Sequence, residues 1–128
     1  MTEQYVKPEY PLSGVTARII AAAQEVHRGL GPGFEEVIYQ RALARELPSH
    51  DLEFSREVWM EIDYKGERVG RKRVDFVINE VMVEIKARSE FAPEDFVQTL
   101  SYLRASGFKV ALLINFGAMK LQVRRLVH

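Results

Sequence analysis

The chain has 128 residues, no cysteine, and 18 Lys/Arg against 18 Asp/Glu, so its formal net charge is zero. That length suits one domain burying roughly two-thirds of its unfolded surface, and the lack of cysteine excludes disulfides, thiol nucleophiles and thiolate zinc sites. With no apolar run near the ~20 residues of a membrane span, and acids and prolines instead of a signal core in Met1–Pro11, a cytoplasmic protein with no membrane partner is expected.

Residues 1–12, with Pro8 and Pro11, read as a tail, and residues 13–128 as a single domain. Ser13 can cap a first helix, in which Val15, Ile19, Ala22, Ala23, Val26 and Leu30 recur at helical spacing until Gly29, Gly31, Pro32 and Gly33 break it. A second helix should start near Phe34 and end before Pro48, with Glu36 and Tyr39 neighbours at a spacing of three. Leu52 to Tyr64 reads as a long strand in which Phe54, Val58, Met60 and Ile62 alternate with polar residues. Trp59 reads as a core or interface residue. Val69 to Ile78 and Val81 to Ala87 are the next strands, joined only by Asn79-Glu80. Pro93 fits the first turn of a third helix closed by Gly107, and Phe108 to Asn115 and Met119 to Val127 are the last strands. A helix between two strands of one sheet implies a parallel crossover. The expected architecture is therefore α/β, a mixed central β-sheet with helices packed on its faces.

A two-residue turn makes the middle strands a hairpin. Counting outward pairs Ile78 with Val81, Val77 with Met82, Phe76 with Val83 and Asp75 with Glu84, which sets two carboxylates opposite one another. Strand alternation puts Lys86 on the face of Glu84. Like charges so placed need relief. A hard divalent cation such as Mg²⁺, a proton on one acid, or an ion-pair cluster in which Lys86 or Arg73 neutralises both would each provide it. Positive charge gathers in this half, with 12 Lys/Arg against 7 Asp/Glu in residues 65–128 and 6 against 11 in residues 1–64. Such a basic rim suits a phosphodiester; solvated strand and helix faces are the plain alternative. In the third helix Asp95, Gln98 and Tyr102 share one stripe, and Phe96, Leu100 and Leu103 another that faces the core. His27, beside a glycine turn, reads as a structural hydrogen-bond partner.

The run from Leu30 to Tyr39, with Gly33, Glu36 and Tyr39 at the signature positions, resembles the GxxExxY proteins of the PD-(D/E)XK nuclease-like superfamily. Asp75 resembles the metal-binding Asp of that superfamily, Glu84 and Lys86 its ExK, and Gln98 with Tyr102 its QxxxY; Val74 stands where the name expects proline. The resemblance implies a restriction-endonuclease-like fold and a metal-dependent nuclease. Asp75, Glu84 and the Ile85 carbonyl would hold Mg²⁺ or Mn²⁺, with Glu36 on a water or a second ion. Lys86 would orient the attacking water or neutralise the phosphorane, and Gln98 would fix a phosphate or the Lys86 amine, with Tyr102 supporting it. Tyr102, and Arg73 and Arg88 of the basic rim, are the candidate substrate contacts. A nuclease-fold module that binds nucleic acid or a protein without cutting is the alternative. A homodimer or helper subunit would enlarge the small surface available for gripping a duplex.

Overall fold

The computed structural model describes residues 12–128. The expected tail lies outside the described residues except for Leu12, which caps the first helix. That helix, α1 (Ser13–Leu30), begins at Ser13 itself, so the expected serine cap is not formed. Next come α2 (Glu36–Glu46), a 3₁₀ turn (Leu47–His50) that takes in Pro48, β1 (Phe54–Tyr64), β2 (Glu67–Ile78), β3 (Val81–Lys86), α3 (Pro93–Ser106), β4 (Val110–Asn115) and β5 (Gln122–Val127). The five strands form one sheet in the order β1-β2-β3-β4-β5. Every pairing is antiparallel except β3 with β4, which α3 connects as a crossover. The mixed α/β sheet read from the sequence is thus the one found.

Two cores lie on opposite faces of the sheet. On one, Ile19, Ala22, Ala23 and Val26 of α1 and Tyr39 and Leu43 of α2 pack on Phe76, Ile78, Val81, Val83, Ile85, Leu112 and Ile114. Two alanines in the α1 stripe let the helix approach closely, and β3 and β4 are covered on both sides, which is why they read as unbroken apolar runs. On the other face a smaller cluster joins Leu103 of α3 to Met60, Val74, Met82 and Ala111. Gly107, at φ 82, ends α3 in the left-handed region, as its position suggested.

Strict alternation fails in the middle of β1 and near the end of β2. Phe54 and Phe76 belong to the α1/α2 core, yet Met60 and Val74 belong to the α3 core, so both strands exchange faces between these residues. The exchange falls at Glu57 and Asp75, which are missing from the β1/β2 register, and Glu57 has φ 52; a second irregularity, a one-residue register shift, follows between Ile62 and Asp63. An irregularity of this kind re-aims side chains and ends pairing locally. Beyond it β1 and β2 continue as a two-stranded arm on which Trp59 is 51% exposed. Trp59 is therefore not a core residue; Arg71 stacks on its ring at 4.2 Å and Arg73 lies 5.7 Å from it. Among the described residues no helix is long and apolar enough to cross a membrane.

Candidate metal centre

The turn between β2 and β3 has Asn79 at φ 44 and Glu80 at φ 72, the two left-handed residues of a type I′ two-residue hairpin. The ladder runs as counted, Ile78 with Val81, Val77 with Met82 and Phe76 with Val83, and there it ends. Asp75 and Glu84 are not a ladder pair. The Asp75 N–H instead donates to Glu84 Oε2 at 3.0 Å, and the Ile85 N–H donates to Asp75 Oδ2 at 2.8 Å. Each carboxylate thus satisfies a backbone donor on the opposite strand that the broken ladder left without a carbonyl. This fixes both acids against the backbone at the end of β3. Burial, the largest cause, pushes both carboxyls above the usual range, and the charge of Asp75 adds to the effect on Glu84.

Because the faces exchange at Asp75, it is Lys72 that reaches Glu84, with Nζ 3.3 Å from Oε1. The same ammonium lies 5.2 Å from the centroid of the Tyr102 ring. Simple alternation would have put Arg73 on the face of Asp75, but its guanidinium stands by Glu57 at 3.8 Å and on Trp59, away from the carboxylates. Lys86 has Nζ 3.9 Å from Oδ1 of Asp95. Asp95 is 1% exposed, so the expectation that it shares an outer stripe with Gln98 is corrected: Asp95, Thr99 and Leu103 form the buried stripe of α3. Arg88 grips Asp95 with two nitrogens at 3.1 Å, and Asp95 also accepts the Ala92 N–H at the start of α3. One buried carboxylate therefore holds two cations and a helix start. Gln98 is exposed and Tyr102 half-buried on the same helix.

Glu36 comes in at the first turn of α2, where an acid suits the helix dipole. Burial raises its pKa, with Lys86 and Arg88 opposing and Asp75 and Asp95 adding to the shift, so its carboxylate shares a field with the hairpin residues. Tyr39 sets its position. The Tyr39 hydroxyl donates to Gly31 O at 2.6 Å and accepts the Phe34 N–H at 3.1 Å, closing the glycine turn on itself. Its ring stacks on Phe116 at 4.9 Å, and the Phe116 N–H donates to Lys86 O at 2.9 Å. The glycine turn at φ 112 for Gly33, the Glu36 carboxylate and the Tyr39 anchor thus form one unit docked on the end of β3.

The exit from β3 is clamped from β4. Asn115 is fully buried; its Oδ1 accepts the Arg88 N–H at 2.8 Å and the Gly117 N–H at 3.1 Å, while Nδ2 donates to Arg88 O at 3.0 Å and Gln122 Oε1 at 2.8 Å. Gly117 allows this approach, since a Cβ there would lie 2.4 Å from Arg88 O. His27 bonds Ala118 O at 2.9 Å, the structural part expected of it.

Sequence reasoning missed Lys72, Asp95 and Asn115 as parts of the site. A polar Asn ending the apolar run Val110–Ile114 was a usable signal for a satisfied buried group; nothing local marked Lys72. Among the described residues no three carboxylate or imidazole side chains converge as a ready-made cage. The donors nevertheless fit a hard cation: burial raises the proton affinity of both carboxylates, the charge of Asp75 raises that of Glu84 further, and an ammonium already sits on Glu84 as a stand-in.

Comparison with curated proteins and with solved structures gives no match. A family model described as the PD-(D/E)XK nuclease superfamily matches residues 13–126, nearly the whole chain, and members of that superfamily generally use divalent metals. The cross-bonded acids at the end of a hairpin strand, the lysine two residues on and the mixed sheet beneath them accord with that match, and the chain belongs to the PD-(D/E)XK nuclease superfamily.

Proposed function

We propose that this protein is a divalent-metal-dependent nuclease of the GxxExxY group, with residues 13–128 as one nuclease-like domain that hydrolyses phosphodiester bonds of DNA or RNA. The observation that carries this reading is the Asp75/Glu84 pair, each acid bonded to the other's strand, with Lys86 and Glu36 in its field. Asp75, Glu84 and the Ile85 carbonyl are the groups that would hold Mg²⁺ or Mn²⁺. When bound, such an ion would offset the negative charge of the acids and of a phosphate, and acidify water. Lys86, held toward the site by Asp95, donates to the attacking water or to the phosphorane oxygens, and Glu36 accepts a hydrogen bond from that water. Arg88, whose side chain is half-exposed although Asp95 holds it, offers the phosphate a positioned cation. The exposed Gln98 and the half-buried Tyr102 of α3, whose ring lies beside Lys72, are assigned to the substrate on this reading. A cytoplasmic setting, and a second copy or helper subunit to complete the grip on a duplex, go with this reading.

The test is calorimetry of Mg²⁺ and Mn²⁺ binding, with cleavage of single- and double-stranded DNA and RNA, on the wild type and on Glu84→Ala. Ion binding and cutting that disappear together in the variant support the nuclease. A wild type that binds no ion even with nucleic acid present favours a non-catalytic module, and cutting that survives in the variant refutes the site.

A further inference from the structure

The Asp75/Glu84 pair already has a cation of its own. Lys72 approaches Glu84 Oε1 to 3.3 Å, while Oε2 of the same carboxylate takes the Asp75 N–H. The Glu84 side chain is 7% exposed against 30% for Lys72, so the lysine covers the acid from the solvent side. The four-carbon stem is flexible, and the Tyr102 ring, which the ammonium already faces at 5.2 Å, would go on attracting it once it leaves the carboxylate. A divalent ion on Glu84 Oε1 would take the oxygen that the Lys72 ammonium occupies, and the two charges repel each other strongly at that distance away from bulk water, so they compete for it.

We propose that Lys72 is a built-in counter-ion of the Glu84 carboxylate, which an entering divalent cation displaces, so that ion binding and the Lys72–Glu84 pair exclude one another. This rests on the metal-dependent reading above. Lys72 holds the acids in place when no ion is present and thereby weakens the site for ions. Once displaced, the ammonium stays within reach of a phosphate, so the device neutralises the site in either state. Lys72 is on this account a positioning residue, distinct from Lys86, which pairs with Asp95.

The experiment is Mn²⁺ calorimetry and metal-free melting on the full chain as wild type, Lys72→Met, Lys72→Gln and Lys72→Arg. Removing the charge in Met or Gln should tighten Mn²⁺ binding by about tenfold, on the order expected for deleting one nearby positive charge, while Arg stays within about twofold of wild type. The metal-free Met and Gln variants should melt below wild type, and saturating Mn²⁺ should remove that difference. Mn²⁺ affinity that is unchanged or weaker in both neutral variants overturns the proposal and leaves the metal site standing. Wild type and variants that all fail to bind Mn²⁺ overturn the metal reading and the proposal with it.

Discussion

Replacing Asn115 by alanine should destabilise the protein far more than the loss of a few surface atoms would. The Asn115 side chain serves four partners: the Arg88 and Gly117 N–H groups, the Arg88 carbonyl and Gln122 Oε1. The Gln122 side chain can turn to another partner, but the three backbone groups cannot move without dragging the segments that leave β3 and β4 with them. Each orphaned buried group costs about 1–3 kcal/mol, and these three lie where water can partly reach, so the lower figure applies to each and the total is about 3 kcal/mol. For a chain of this size that lowers the melting temperature by roughly 10 °C. Thermal and urea unfolding followed by circular dichroism would measure it. Asn115→Asp separates hydrogen bonding from volume: the shape is kept, but an oxygen then faces the Arg88 carbonyl and Gln122 Oε1, so it should be destabilised as well. A loss under about 1 kcal/mol in the alanine variant, with cooperative unfolding retained, would refute the clamp.

Burial holds the Asp75 and Glu84 carboxyls above their ordinary range, so the folded state binds these protons more tightly than the unfolded one. Their contribution to stability is complete below the ordinary carboxyl pKa and is lost as pH rises through the raised folded values. Metal-free Glu84→Gln should therefore exceed wild type in stability at neutral pH, with the difference shrinking as pH falls; urea midpoints across that interval test it, and a difference that grows on acidification contradicts it. Arg88→Ala leaves Asp95 with only Lys86 at 3.9 Å as its cation, and because Arg88 is half-exposed the expected loss is about 1–2 kcal/mol, read by urea unfolding. Tyr39→Phe keeps the stack on Phe116 but strips two bonds from the glycine turn; a loss of about 1–2 kcal/mol and faster hydrogen exchange at the Phe34 amide should result. Unchanged exchange there would show that the hydroxyl does not hold the turn.

The sequence by itself determined the order of the elements, the hairpin with its two-residue turn, and the pairing of Phe76 with Val83 that brings Asp75 and Glu84 together. These follow from local rules: side chains alternate every two residues, apolar positions recur with the helical period, and a two-residue connection leaves one register open. The spacing of Gly33, Glu36 and Tyr39 was also legible, because the turn and the first helical turn after it span only a few residues. What the tertiary structure decided was which side chains meet at that hairpin. Alternation carried back from Asp75 points to Arg73, yet the strands exchange faces at Glu57 and Asp75, so Lys72 reaches the acid and Arg73 goes to Trp59 and Glu57. The same limit hid Asp95, whose cations Lys86 and Arg88 come from the end of β3 and the residues just after it, and Asn115, whose partners include Arg88 beyond β3 and Gln122 on β5. Periodicity records where a side chain would point in a regular element; where the ladder breaks, only contacts between distant segments settle which groups are satisfied, and this site is built at such a break.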